Sequence, residues 1–153
     1  MAFSKIGIIG TGVIGEALIE VLLRSGLSKD SLFIAEKRGE RRDEIIKKYG
    51  VKELSLHVLL DAFLIAVKPQ DFLTTIKELP SSATDSALIV SFAAGIRIKA
   101  IEDNLSKGSR VIRVMPNTPM VMGSGMSAIS LGSNATSMDQ EWVKGFLAKA
   151  GEV

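Results

Sequence analysis

Short, nearly unbroken apolar runs alternate along the chain with longer stretches in which apolar residues recur every three or four positions. A run with no polar alternation suits a strand buried on both faces, and a three-to-four spacing suits a helix with one buried stripe. "KIGIIG" (5–10), "SLFIAE" (31–36), "AFLIAVKP" (62–69), "ALIVSFAAG" (87–95), "RVIRVM" (110–115) and "MSAISL" (126–131) are therefore predicted strands, with a weaker one at 51–54. Pro69 is read as the end of the third run, and "AAG" as a loop. Between them, Val13, Ile14, Ala17, Leu18, Val21 and Leu22 form a helical stripe that Gly26 stops; Ile45, Ile46 and Tyr49 form another, ended by Gly50. A short helix is expected at Ser55–Leu60, a longer one carrying Phe72, Leu73, Ile76 and Leu79 up to Pro80, and one carrying Ile98, Ile101 and Leu105. The last runs from Ser137 to Ala150, with Ser137 and Gln140 at capping-box spacing and Gly151 as its stop. "GEV" (151–153) reads as the start of another strand, so the fold is expected to continue past Val153.

Strand and helix alternate throughout, which predicts an α/β domain of the Rossmann type: a doubly wound, mainly parallel sheet with helices on both faces. A chain of 153 residues suits one such domain. Apolar residues make up 46%, and mean hydropathy is +0.28, yet no long uninterrupted apolar run suggests a membrane span. Without cysteine there is no disulfide, no thiolate chemistry and no cysteine-held metal, and no metal site is expected; a cytoplasmic setting fits. A net charge of +2 with interleaved acids and bases does not indicate nucleic acid.

"GTGVIG" places Gly10, Gly12 and Gly15 at GxGxxG spacing between a predicted strand and helix. In a dinucleotide site the first glycine permits a tight turn, the second lets pyrophosphate approach the backbone, and the third lets the helix pack close. Glu36 follows Gly15 by about 20 residues, where an acid hydrogen-bonds the adenosine ribose and favours NAD. Lys37, Arg38, Arg41 and Arg42 come next, and bases there favour the 2′-phosphate of NADP. Those bases read equally as a solvated helix face balanced by Glu40, Asp43 and Glu44, so the residues leave NADPH and NADH both open.

Three loops leave strand ends with distinctive chemistry: "AVKPQ" (66–70), "AAG" (93–95) and "MPNTP" (115–119). Pro116 lacks an N–H and is expected to stop the ladder, while Pro119 forces Thr118 into an extended conformation. Asn117 and Thr118 are thus expected on a stiff strap facing the cleft; an ordinary turn is the alternative.

Taken together, "GIIGTGVIG", "AVKPQ", "SFAAGI" and "VIRVMPNTPMVMGSGM" resemble, in order and spacing, the 1-pyrroline-5-carboxylate reductase family, which makes proline from a cyclic imine. The resemblance covers essentially the whole chain but only that family's amino-terminal, cofactor-binding domain. It implies that NADPH or NADH is contacted by Ile9, Gly10, Thr11, Gly12, Val13, Ile14 and Gly15, by Ala66, Val67, Lys68 and Pro69, and by Ala93, Ala94 and Gly95. Glu36, Lys37 and Arg38 complete the expected cofactor set. Asn117 and Thr118 are implied at the nicotinamide end. The family's second domain, helical and dimer-forming, holds the substrate carboxylate, so a homo-oligomer is implied through it. This chain departs from the family in carrying Val13-Ile14 where Asn-Met is usual. It is also a few residues short between Tyr49 and Phe63, with Ser55 as the possible polar substitute there.

His57, the only histidine, is read as a surface or structural residue, and Lys68 as a binding group in preference to a proton donor. The methionines of "MVMGSGM" (120–126) suit either core filling or a covered surface. Two other readings stand beside the imine reductase: another Rossmann reductase such as a hydroxyacid dehydrogenase, and a nucleotide-binding module without chemistry.

Overall fold

The computed structural model describes residues 3–55 and 57–153. Its strands are β1 (Ile6–Ile9), β2 (Leu32–Ala35), β3 (Lys52–Glu53), β4 (Ala62–Ile65), β5 (Leu88–Ser91), β6 (Arg110–Pro116), β7 (Gly125–Leu131) and β8 (Gly151–Glu152). The helices are α1 (Val13–Arg24), α2 (Gly39–Tyr49), α3 (Pro69–Glu78), α4 (Ser81–Thr84), α5 (Ile98–Glu102) and α6 (Ser137–Leu147). The sheet order is β3-β2-β1-β4-β5-β6-β7-β8. It is parallel from β3 to β6, turns antiparallel between β6 and β7, and closes with β8 parallel to β7.

Side chains of opposite strand parity feed two apolar layers. On one face Ile8, Leu64 and Val90 pack with Leu18 of α1, Ile45 of α2 and Val143 of α6. On the other, Phe63, Ile65 and Ile89 pack with Phe72 and Ile76 of α3 and Ile101 of α5. The expected doubly wound, mainly parallel sheet is therefore present, with helices on both faces. The glycine stops also fall where expected. Gly26, at φ +102°, donates to the Leu23 carbonyl while Leu27 donates to that of Leu22; Gly50, at φ +69°, donates to that of Ile46.

Several local expectations are corrected. No helix forms over the described residues of Ser55–Leu60; Leu56, within that stretch, lies outside the described residues. Residues 54–61 must cross three strand spacings, roughly 14 Å, which extended chain covers easily. A helix advances only about 1.5 Å per residue, so extended chain is the easier way across. Pro69 opens α3 at its first turn, where a missing N–H costs nothing, and β4 already ends at Ile65. Pro116 stays inside the β6–β7 ladder opposite Ser127. Asn117 donates to the Met126 carbonyl, so Pro116 falls at a non-hydrogen-bonded position that needs no N–H. The capping box of α6 is Thr136 with Asp139, one residue before the expected pair. Gly151 begins β8 against Gly125 and is not the helix stop. Among the described residues, no helix is long and apolar enough to cross a membrane.

Candidate functional site

Chain connections leave β1 and β4 in opposite directions along the sheet, which opens a crevice beyond their carboxyl ends. The glycine loop fills the β1 side of that crevice. Gly10 sits at φ +89°, and a Cβ there would lie 2.9 Å from the Ala66 carbonyl oxygen. Gly15 packs so tightly that a Cβ would meet the Gly10 carbonyl oxygen at 1.9 Å. Gly12 differs from both: a Cβ on it would meet nothing within 4 Å. It is also the N-cap of α1, with no side chain capping that helix. The first N–H groups of α1 have no partner within the helix, so they offer donors and a positive dipole end to the space over Gly12. A phosphate fits that seat. Neither α2, with Arg38 as N-cap, nor α3, with Lys68, carries a side-chain cap.

A cavity of about 700 Å³ runs from this loop across the ends of β2 and β4. It brings together Ile9, Gly10 and Gly12 from the first expected segment, Glu36, Lys37 and Arg38 from the second, and Ala66, Val67 and Lys68 from the third. Ser55, the suggested polar substitute, also lines it. Beyond these it continues between α3 and Leu54, Ser55 and Val58 to Leu79, Pro80 and Ala83.

The remaining expected residues lie outside the cavity. Thr11, Gly15 and Ala93 are buried, Ile14 is half-buried and Val13 is exposed at the start of α1. Pro69 is the first residue of α3, and Ala94 and Gly95 lie on an exposed turn. Asn117 and Thr118 are exposed, but the Asn117 side chain is not simply turned to the cleft: its Oδ1 accepts from the Met126 N–H at 2.9 Å. Thr118 opens a 3₁₀ turn over Thr118–Met122. The methionines divide, Met120 joining the core while Met122 and Met126 are exposed. His57 is exposed.

The basic run at 37–42 divides as well. Lys37 and Arg38 border the cavity with exposed side chains. Arg41 turns away to donate to the Thr11 carbonyl at 2.9 Å and to pair with Glu16, and Arg42 pairs with Asp43 and Glu53. Glu36 is nearly buried and accepts from the Thr11 N–H at 3.1 Å, the Thr11 hydroxyl at 2.9 Å and Arg38. Burial pushes its carboxyl up, but the Arg38 and Thr11 hydrogen bonds outweigh that and hold it at about 2. Glu16 is likewise held at about 2, first by Lys48, against burial, and then by Arg41 and Tyr49. Glu36 ties the loop to Arg38 at the start of α2, and Glu16 ties α1 to α2. The Thr11–Glu36 contact and those of Glu16 with α2 escaped the sequence because their partners lie 25 to 33 residues apart and follow no period.

A family model described as NADP oxidoreductase, coenzyme F420-dependent, matches residues 5–95, from β1 through the "AAG" turn. The chain belongs to this family. The pyrroline-5-carboxylate reductase of Corynebacterium melassecola is 33% identical to it over 98% of this chain and 58% of that protein. Among solved structures, a pyrroline-5-carboxylate reductase from Coxiella burnetii superposes with a TM-score of 0.90 at 24% identity, covering 99% of this chain and 58% of that one. The pyrroline carboxylate reductase of Plasmodium falciparum, solved with NADP bound, superposes at 0.80 and 24% identity, covering 99% and 57%. At that identity the superpositions establish the fold. The chain spans little more than half the length of the curated relatives it matches.

Proposed function

We propose that this chain is the NADPH-holding half of a reductase that converts 1-pyrroline-5-carboxylate to L-proline in the cytoplasm. The observation that carries the reading is the open space over Gly12, at an uncapped helix N-terminus on the sheet's switch point. The names of the curated relatives, at about a third identity over nearly the whole chain, support the reaction. Bound there, the dinucleotide supplies the hydride. Gly12 and the α1 N-terminus hold its pyrophosphate. Lys37 and Arg38, beside the uncapped start of α2, receive a 2′-phosphate. Ala66, Val67 and Lys68 close the β4 side, and Asn117 with Thr118 borders the nicotinamide end. The imine's carboxylate is held by the part of such a reductase outside the matched half, which also forms its homo-oligomer. Rate then comes chiefly from positioning the two reactants.

Titration of NADPH and NADH by cofactor fluorescence tests the site. The wild-type chain is expected to bind both, NADPH up to about tenfold more tightly, since a screened surface contact to phosphate is worth little more than that. Gly12→Val places a branched side chain in the phosphate seat and is expected to weaken NADPH at least tenfold. Equal affinity in both proteins would remove Gly12 from the site.

A further inference from the structure

The acid at the end of the second strand commonly takes the adenosine ribose hydroxyls in a fold of this kind. Here it has no capacity left to do so. Five donors converge on Glu36: Oε1 accepts from the Thr11 N–H at 3.1 Å, the Thr11 hydroxyl at 2.9 Å and Arg38 Nη2 at 3.2 Å. Oε2 accepts from the Arg38 N–H at 3.1 Å and Arg38 Nε at 3.4 Å. An ionised carboxylate has about four lone-pair sites, so this one is saturated. A ribose hydroxyl would have to displace a charge-assisted bond to reach it.

The partner of Glu36 is equally engaged. Thr11 is fully buried within the glycine loop, between Gly10 and Gly12. Its N–H and hydroxyl go to Glu36, and its carbonyl accepts from Arg41 Nε at 2.9 Å. Arg41 is held in turn by Glu16, and Glu16 by Lys48 and the Tyr49 hydroxyl, each at 2.8 Å. Both edges of the residue before Gly12 are thus gripped by the segment that follows β2, which leaves the loop little freedom to close over its own phosphate seat.

We propose that Glu36 is a positioning residue: through Thr11 it holds the phosphate loop open for either dinucleotide, and it is not a ligand of the ribose. The inference rests on the dinucleotide reading above. It assigns the loop's preorganisation to Glu36, Thr11 and Arg41, and it leaves discrimination between cofactors to Lys37 and Arg38.

NADPH and NADH titrations of the wild-type chain, Thr11→Val, Glu36→Gln and the double variant test it. Thr11→Val deletes one donor without changing charge, so it is expected to weaken both dinucleotides by a similar factor, about three- to tenfold. Glu36→Gln is expected to weaken both as well, NADH at least as much, because removing an anion near a 2′-phosphate offsets part of the loss for NADPH. The double variant is expected to bind no worse than the weaker single variant within about twofold, since both changes weaken the same Thr11–Glu36 connection. If Glu36 were a ribose ligand, Thr11→Val would free it and tighten NADH, and Glu36→Gln would weaken NADH while leaving NADPH unchanged or tighter. Either result overturns the inference, as do losses that multiply in the double variant. If Glu36→Gln does not fold, Thr11→Val decides alone, parallel loss supporting the proposal and NADH tightening overturning it. A wild-type chain that binds neither dinucleotide overturns the cofactor reading itself, and is recognised before any variant is made.

Discussion

The glycines of the "GTGVIG" loop have unequal roles, and substitution separates them. At Gly15 an added methyl meets a backbone oxygen at 1.9 Å, and no side-chain rotation relieves that. Gly15→Ala is therefore expected to cost about 3 kcal/mol or more in stability, read as a lower midpoint in thermal or urea unfolding. At Gly12 the same methyl meets nothing, so Gly12→Ala is expected to leave the unfolding midpoint nearly unchanged while cofactor affinity falls. A large midpoint shift for Gly12→Ala would mean that the space above it is not open. The two carboxylates behind the loop make a separate prediction with a definite sign. Glu16 and Glu36 are both lowered from an ordinary 4.5 to about 2 in the folded state. Their contribution to stability is complete above 4.5 and is lost as pH falls from there toward 2, because the unfolded chain takes up the protons first. Melting wild type and Glu16→Gln between pH 7 and pH 3 checks this: the gap between them is expected to narrow below about pH 4.5. A gap that stays constant to pH 3 would show that Glu16 gains nothing from Lys48, Arg41 and Tyr49.

At the scale of elements, the long apolar runs and the glycine stops were legible because burial on both faces and a positive φ each leave a mark on sequence. Val90 and Ile112 stand in short β-branched runs of the kind a fully buried strand needs, and Gly50 at φ +69° holds a conformation that favours glycine. What was not legible depended on reach or on partners distant in sequence. Ser55–Leu60 has helical spacing, but its described residues serve to carry the chain over three strand spacings and form no helix. Pro116 looked like a ladder stop, but the register with β7 places its missing N–H where none is needed. In the candidate site, the order of the segments was enough to bring Gly10, Gly12, Glu36 and "AVK" to one cavity. That Arg41 serves the loop and not a phosphate could not be read this way, since its partners Thr11 and Glu16 lie 30 and 25 residues away. The start of α6 shows how narrow such an error can be. Thr136 accepts from the Asp139 N–H at 3.2 Å, and Asp139 accepts from the Thr136 N–H at 2.8 Å. Thr136→Ala is expected to cost about 1 kcal/mol, and Ser137→Ala less than about 0.5 kcal/mol. Urea unfolding of the two variants distinguishes these registers, and the reverse order would restore Ser137 as the cap.

For the molecule as a whole, the described cavity lies on the glycine-loop, β2 and β4 side of the crevice, where the proposal above seats the phosphates and adenosine, and it does not reach Asn117 or Thr118. A hydride transfer needs the imine carbon held against the nicotinamide, and holding it requires a second anchor, most simply on the substrate carboxylate. Of the cationic side chains that border the cavity, Lys37 and Arg38 precede α2 on the β2 side and are the pair proposed for the 2′-phosphate, while Lys68 follows β4. An imine that arrives by diffusion forfeits the effective molarity, of order 10⁵ M or more, that a positioned reactant enjoys. We therefore expect the 153 residues alone to bind NADPH yet oxidise it with 1-pyrroline-5-carboxylate at a rate barely above the uncatalysed one. Activity is expected to return when the chain is joined to the remaining half of a relative such as the Corynebacterium melassecola protein, of which it spans 58%. Following NADPH absorbance with both proteins at equal concentration decides the point. Comparable turnover in the two would place the substrate's anchor within these residues, most plainly on Lys68 or the Asn117-Thr118 strap, and would remove the division between a cofactor half and a substrate half.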